Sequence, residues 1–210
     1  MDKTEQHLAR GERVAIRPFT RADVDDWVAW PQHQDPLFRD YNSPHLSPRE
    51  RDLWYADRAA RPDHEMYALL DAGSDRLIGR LFLRQIDRVK GSAVLGVDLR
   101  SDMLNAGLGT DALRTFTRYY FTVLQQNSLK LDVAGYNYRA QRVYEKLGWV
   151  YVGEHWNTYP SVFMPNIFSD PQLESVRKYF RSGPGSVSVL HYDMELTRER
   201  WEEMNDIAQK

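Results

Sequence analysis

Cysteine is absent from the 210 residues, so disulfides, thiolate metal ligands and a cysteinyl acyl-enzyme are all excluded. An apolar run of about 18 residues, long enough to cross a bilayer, is also missing. The opening MDKTEQHLARGER is polar throughout and has no apolar leader segment. These absences predict a cytoplasmic protein with no membrane partner. Neither sign of charge dominates: 28 basic side chains stand against 30 acidic ones, a formal net charge of -2, so no nucleic-acid partner is expected. His7, His33, His45, His64, His155 and His191 are scattered without HExxH or comparable spacing, and no metal centre is expected.

What is present can bury a core. Hydrophobic residues make up 42% of the chain and charged residues 28%, compatible with a single domain spanning 1–210. Val14, Ile16 and Pro18 open a short alternating run. Thr20 and Asp23 then resemble a capping box for a helix carrying Val24, Trp27 and Val28. Ser47, Pro48 and Glu50 mark a second helix start after a loop from Pro31, and that helix should stop before Pro62. Three apolar runs between Met66 and Leu99, split by AGSD and DRVKG, predict an antiparallel meander. Helices then alternate with strands: a long helix from Gly109 to about Leu124, the strand LKLDV, a helix from Tyr138 to Leu147, and the strand WVYVGEHW. The fold class expected is mixed α/β.

The stretch 157–186 reads as an irregular insertion before a last strand near Val187 to Leu196, with one helix from Pro171 to Phe180. Its Tyr159, Phe163, Met164, Phe168, Tyr179 and Phe180 need cover. Two arrangements provide it: a lid packed on the Pro31 to Ser47 segment, or an interface in a homodimer.

The strongest chemical signal is VLGVDLRSDMLNAGLGTDAL, Val94 to Leu113: a strand, a loop, two glycines and a helix. Glycines allow close backbone approach, and the free amides of a helix's first turn favour a pyrophosphate. A Walker loop requires a lysine that does not follow Gly109. A dinucleotide fingerprint is closer, since Gly107, Gly109 and Ala112 spell GxGxxA with Asp132 about 20 residues on. Yet a meander precedes that strand, and about seven residues separate Leu99 from Gly107, against the tight turn that motif needs.

A second segment, NYRAQRVYEKLGW, sets Ala140, Val143, Tyr144 and Leu147 on one helix face, with Asn137 as N-cap and Gly148 as the stop. Alone, Tyr144 reads as a core tyrosine. The two segments in this order, about 30 residues apart, resemble the GNAT superfamily of acetyl-CoA-dependent N-acetyltransferases. The likeness runs from about Arg13 to Trp156 and resumes at the last strand, and its style is similar to the ribosomal-protein N-terminal acetyltransferase branch.

The resemblance implies a mixed sheet splayed to admit acetyl-CoA as co-substrate. It implies that Asn105, Ala106, Gly107, Leu108, Gly109 and Thr110 hold the pyrophosphate on their amides. Val97 to Leu99 would pair with the pantetheine arm like an added strand, Asn137 would hydrogen-bond that arm, and Tyr144 would face the thioester sulfur. Two positions depart from the family pattern: Leu104 stands where Gln or Arg is usual, and Trp149 where Phe is usual.

Without a cysteine, direct transfer to an amine in a ternary complex is the economical mechanism. Tyr144 is the candidate proton donor to the leaving thiolate, and Asp98, Glu154 and His155 are candidate bases. The acceptor is expected to be a small-molecule amine or a peptide N-terminus. A catalytically silent acyl-CoA-binding module and an NAD(P)-dependent oxidoreductase are the competing readings.

Overall fold

In a computed structural model, which describes residues 7–161 and 167–208, nine strands form one sheet flanked by helices on both faces. Phe163 and Met164 lie outside the described residues. A two-residue strand β1 (Ala9–Arg10) pairs with β2 (Val14–Pro18), and β2 begins the antiparallel run. The meander follows as β3 (Glu65–Asp71), β4 (Leu77–Asp87) and β5 (Ser92–Leu99). Next come β6 (Ser128–Ala134), β7 (Val150–Pro160), β8 (Phe180–Gly183) and β9 (Ser186–Thr197). The spatial order is β1-β2-β3-β4-β5-β6-β9-β7, with β8 beside β9.

The helices start where the local chemistry directs. In α1 (Arg21–Val28), Thr20 and Asp23 close a capping box, and the Asp23 carboxylate also takes both Arg17 guanidinium nitrogens at 2.6 and 2.7 Å. Ser47 and Glu50 do the same for α2 (Pro48–Ala59), with Pro48 in the first turn. Along β3, Ala68 and Leu70 pack under α1 and α2 with Phe19, Val24 and Trp27, whereas Leu69 joins the opposite core. That larger core is built on α3 (Leu108–Thr122), whose Phe116, Tyr120 and Phe121 meet Ile16, Leu81 and Leu129. The alternating faces of β3 thus carry both helical layers, as a period of two requires.

β5 and β6 run parallel and are hydrogen-bonded only from Ser92–Val94 to Ser128–Lys130. Beyond that point they part, and the outer edge of β5 from Leu95 to Leu99 faces an opening instead of a strand. Its inner edge stays paired to β4, from Leu83↔Leu95 to Gly79↔Leu99.

The stretch 157–186 is more regular than expected. Residues Asn157 to Pro160 continue β7, each opposite a residue of β9 from Val189 to Ser186. Pro160 ends an edge strand, where its missing N–H does no harm. The expected helix from Pro171 forms as 3-10 turns, Pro171–Tyr179, started by the Asp170 carboxylate accepting from the Gln172 amide at 2.9 Å. Tyr179 and Phe180 are buried with Ile167, Val187 and Val189 in a third cluster, joined by Leu37 and Phe38 from the loop before α2. The contact runs through Tyr136, stacked on Phe180 at 5.3 Å and donating from its hydroxyl to the Leu37 carbonyl at 2.8 Å. Phe168 alone of the described aromatics here is well exposed. Three elements were not expected from the sequence: β1, β8 and the terminal helix α5 (Arg198–Ala208), whose Trp201 packs on Phe121 at 5.5 Å.

Candidate active site

A cavity of about 450 Å³ fills the gap between β5 and β6, within the size range of about 300–1,000 Å³ usual for ligand pockets. Three pieces of chain converge on it. Val97, Asp98 and Leu99 line it from β5. Asn105, Gly107, Gly109 and Thr110 line it from the loop into α3, and Asn137, Ala140, Val143 and Tyr144 from α4 (Tyr138–Lys146).

The loop is locked from two sides. Asp111, buried in the first turn of α3, accepts from the amides of Arg13 and Val14 at 2.8 and 2.9 Å. The Arg13 guanidinium in turn donates to the Ala106 carbonyl. Gly107 is the N-cap of α3 with φ 77°, in the left-handed region that a β-branched residue does not tolerate. Asn105 is also left-handed, at φ 61°. The first-turn amides of α3 have no partner within the helix and open toward the cavity wall formed by Gly109 and Thr110. Ala106 and Leu108 do not line the cavity. Leu108 belongs to the main core, which holds the helix start in place.

Gly96, next to the open edge of β5, sits beneath Phe82: a Cβ there would lie 2.1 Å from that ring. The ring covers the backbone where the strands part, and both residues line the cavity. Asn137 is buried and caps α4 by accepting from the Ala140 amide at 3.2 Å. Beside it, burial pushes the Tyr41 phenol up to about 12, against a hydrogen bond with Asn137 that pulls it down. Tyr144 is 7% exposed, its ring 5.7 Å from that of Trp149. Burial raises its phenol well above the ordinary value, so it is protonated at neutral pH.

The three candidate bases fare differently. Asp98 lines the cavity, but its carboxylate is held by Arg80 at 2.6 and 2.7 Å, and Arg80 stacks on Trp27 at 4.0 Å. Glu154 is exposed and faces a separate hollow with Tyr151, Tyr179 and Tyr192. His155 lies outside the cavity, its Nδ1 3.0 Å from Asp193.

Two residues outside the three candidate bases stand in the cavity instead. His191, on β9, places Nδ1 2.9 Å from the Asp132 carboxylate on β6, and both line the opening. Asp132 also accepts from Arg84 at 3.1 Å, and the His155 ring stacks on His191 at 5.6 Å. Donor atoms of Asp132, His155 and His191 fall within 4.8 Å of one another. Within it Asp132 is hydrogen-bonded to His191 and Arg84, and His155 is paired with Asp193. The alternation Leu129, Leu131, Val133 marks Asp132 as facing away from the α3 core, a signal present in the sequence. The pairing that delivers His191 to it is not.

Comparisons with known proteins give the class of protein to which this fold and cavity belong. A family model described as an acetyltransferase (GNAT) domain matches residues 13–150, and the chain belongs to that family. It is an acetyl-CoA-dependent N-acetyltransferase. It is similar to the "Probable N-acetyltransferase YjcK" of Bacillus subtilis (strain 168), 24% identical over 149 residues, covering 67% of this chain and 82% of that one. Among solved structures it is similar to the spermidine N-acetyltransferase from Vibrio cholerae in complex with CoA and spermine. There the TM-score is 0.66 at 18% identity, over 90% of this chain and 98% of that one. The spermidine/spermine N-acetyltransferase SpeG from the same organism, in complex with manganese ions, gives 0.63 at 18% identity, covering 91% of this chain and 96% of that one. At these identities the structural likeness concerns the fold alone. No helix among the described residues is long and apolar enough to cross a membrane.

Proposed function

We propose that the protein acetylates a primary amine by direct attack in a ternary complex, with the gap between β5 and β6 as the site where both substrates meet. The observation that carries this is the convergence, in one cavity, of an open strand edge, a glycine-led helix start and a buried tyrosine. Acetyl-CoA, when bound, supplies an activated acetyl thioester.

The amides from Asn105 to Thr110 hold its pyrophosphate, where the dipole of α3 favours negative charge. Leu108 takes part only through its backbone, since its side chain is in the core. The open edge at Val97 and Leu99 gives the pantetheine amides strand-like partners. Asn137 adds a side-chain contact from the start of α4, and Leu104 adds apolar wall where a polar residue would reach the phosphates. Tyr144 donates a hydrogen bond to the departing sulfur. With its phenol raised, complete proton transfer to a thiolate near 8.5 is uphill, so stabilisation by the hydrogen bond is its contribution.

His33, Phe38, Tyr41 and Arg139 form the acceptor side. Burial, and then Arg139, lower the His33 pKa, so His33 is neutral at pH 7. Both carboxylates of the cavity are already paired, Asp98 with Arg80 and Asp132 with Arg84 and His191. Among the described residues neither lining carboxylate is free of a partner, which favours a singly charged amine, such as a peptide N-terminus with pKa near 7.7–8.0, over a polyamine.

The test is a thiol-release screen over peptides, monoamines and polyamines, read against a protein with no thiol of its own. Release with peptides or monoamines is expected. Acetyl-CoA binding without release from any acceptor would favour a silent acyl-CoA-binding module, and preferential turnover of spermidine would overturn the acceptor assignment.

A further inference from the structure

Acetyl transfer to an amine leaves a proton to be removed from the nitrogen, and Asp98, Glu154 and His155 are poorly placed for it: the first is ion-paired and the others lie outside the cavity. We propose that His191, oriented by Asp132, is the general base of the reaction. The inference rests on the acetyl-transfer reading above.

His191 sits in the middle of the sheet, opposite Ala134 of β6 on one side and His155 of β7 on the other. Its side chain is 12% exposed, and the part that is open faces the same cavity as Tyr144. The Asp132 carboxylate can only accept, so the neutral imidazole carries its proton on Nδ1 and its lone pair on Nε2. The carboxylate stays charged: the hydrogen bond from His191 holds its pKa below the ordinary range, outweighing the effect of burial. Arg84 fixes the other Asp132 oxygen. The remaining groups facing the imidazole are His155, stacked on it, and Asp193, which anchors His155. Asp132 stabilises the imidazolium that forms, and Asp193 with His155 on the far side closes the network away from the cavity.

The step balances as follows. The acceptor nitrogen forms a bond to the acetyl carbon while the carbon–sulfur bond breaks. The nitrogen's proton goes to Nε2 of His191, and the electron pair of the broken bond leaves on sulfur, hydrogen-bonded by Tyr144. Asp132 touches no reacting atom and is a positioning residue.

The test is the pH dependence of turnover, with saturating acetyl-CoA and an acceptor from the screen, in wild type, His191→Gln and Asp132→Asn. In wild type, kcat is expected to fall on the acid side as the histidine protonates. His191→Gln is expected to lower kcat by about 10²-fold or more and to abolish that acid limb, while the thermal stabilisation by acetyl-CoA is unchanged. Asp132→Asn should lower kcat less and move the limb to lower pH, because the carboxylate no longer supports the cation. Should His191→Gln fail to fold, that shift in the Asp132→Asn profile is the deciding measurement. An unchanged acid limb in both variants overturns the proposal. So does a wild-type rate that is lost on chelation and restored by zinc, which would make the cluster a metal site. A wild type that binds acetyl-CoA but turns over no amine removes the reaction itself, and the proposal with it.

Discussion

The roles proposed for Tyr144 and Gly107 fall in different halves of the reaction. Removing the Tyr144 hydroxyl leaves the ring that packs on Trp149, so Tyr144→Phe should keep the fold and the acetyl-CoA KM. It should lower kcat by about 10²-fold, since the hydrogen bond matters only as charge builds on sulfur. Steady-state kinetics with both substrates varied checks this, and an unchanged kcat removes Tyr144 from the chemistry. Gly107→Val acts on binding. At φ 77° a β-branched residue is strained by about 1–3 kcal/mol, and relief of that strain moves the amides around it. A folded Gly107→Val protein is expected to show a lower melting temperature and none of the stabilisation by acetyl-CoA that wild type shows, measured by thermal shift.

At the scale of elements, α1 depends on a buried ion pair. Burial pushes the Asp23 carboxyl up, but Arg17 and the Thr20 amide and hydroxyl outweigh it and hold the pKa below the ordinary carboxylate range. A folded-state pKa below the unfolded value of about 3.9 means this stability is fully present above about pH 4. It is lost as pH falls through the folded value. Asp23→Asn should therefore destabilise the protein at pH 7 by about 1–3 kcal/mol, the scale for losing hydrogen bonds to a charged group when one partner is buried. Its denaturant midpoint should also vary less between pH 4 and pH 2 than that of wild type. Equal pH slopes in the two proteins would show that Asp23 does not carry this linkage.

Most of these elements were legible before any coordinates, because their signals are local. The Thr20 and Ser47 boxes, the Asn137 cap and the stop at Gly148 each sit within a few residues of what they control. Asn157 to Pro160 were not legible as strand. Asn157 and Pro160 are strand-averse and bracket the strand-favouring Thr158 and Tyr159, and all four are extended because β9 lies opposite them. The short helix α5 has the same origin, since Trp201 gains its place by packing on Phe121 of another helix.

Across the whole molecule, the third hydrophobic cluster joins the segment before β9 to the loop before α2, through the stack of Phe180 on Tyr136. Tyr136, Tyr179 and Phe180 are covered within the chain in a cluster that includes Phe38, itself a lining residue of the cavity, whereas Phe168 is exposed. Phe180→Ala should cost about 3 kcal/mol by large-to-small truncation. Because Tyr136 holds the Leu37 carbonyl, the acceptor KM should rise while acetyl-CoA binding is unchanged. Chemical denaturation and a KM comparison check both parts. An unaltered acceptor KM at reduced stability would make the cluster purely structural.

The parts of the site that are neighbours in the chain could be read from the residues. The glycine-led start of α3 and the α4 face bearing Tyr144 are each written within one short segment, so local signals mark the elements; the open edge of β5 was expected only through the family resemblance, because it exists where β6 parts from β5. The partner of Tyr144 across the cavity could not be read that way. Asp132 and His191 are 59 residues apart and meet only because β9 lies beside β6 in one register, Ala134 opposite His191. A shift of one residue would turn His191 to the other face. The same pairing keeps His155 and Glu154 out of the cavity: His155 shares the His191 face but lies one strand further out on β7, and Glu154 turns to the other face. The segments proposed to hold the cofactor are thus marked by local sequence, and the residue proposed to take the amine's proton is placed by strand register, set by the packing of the whole sheet.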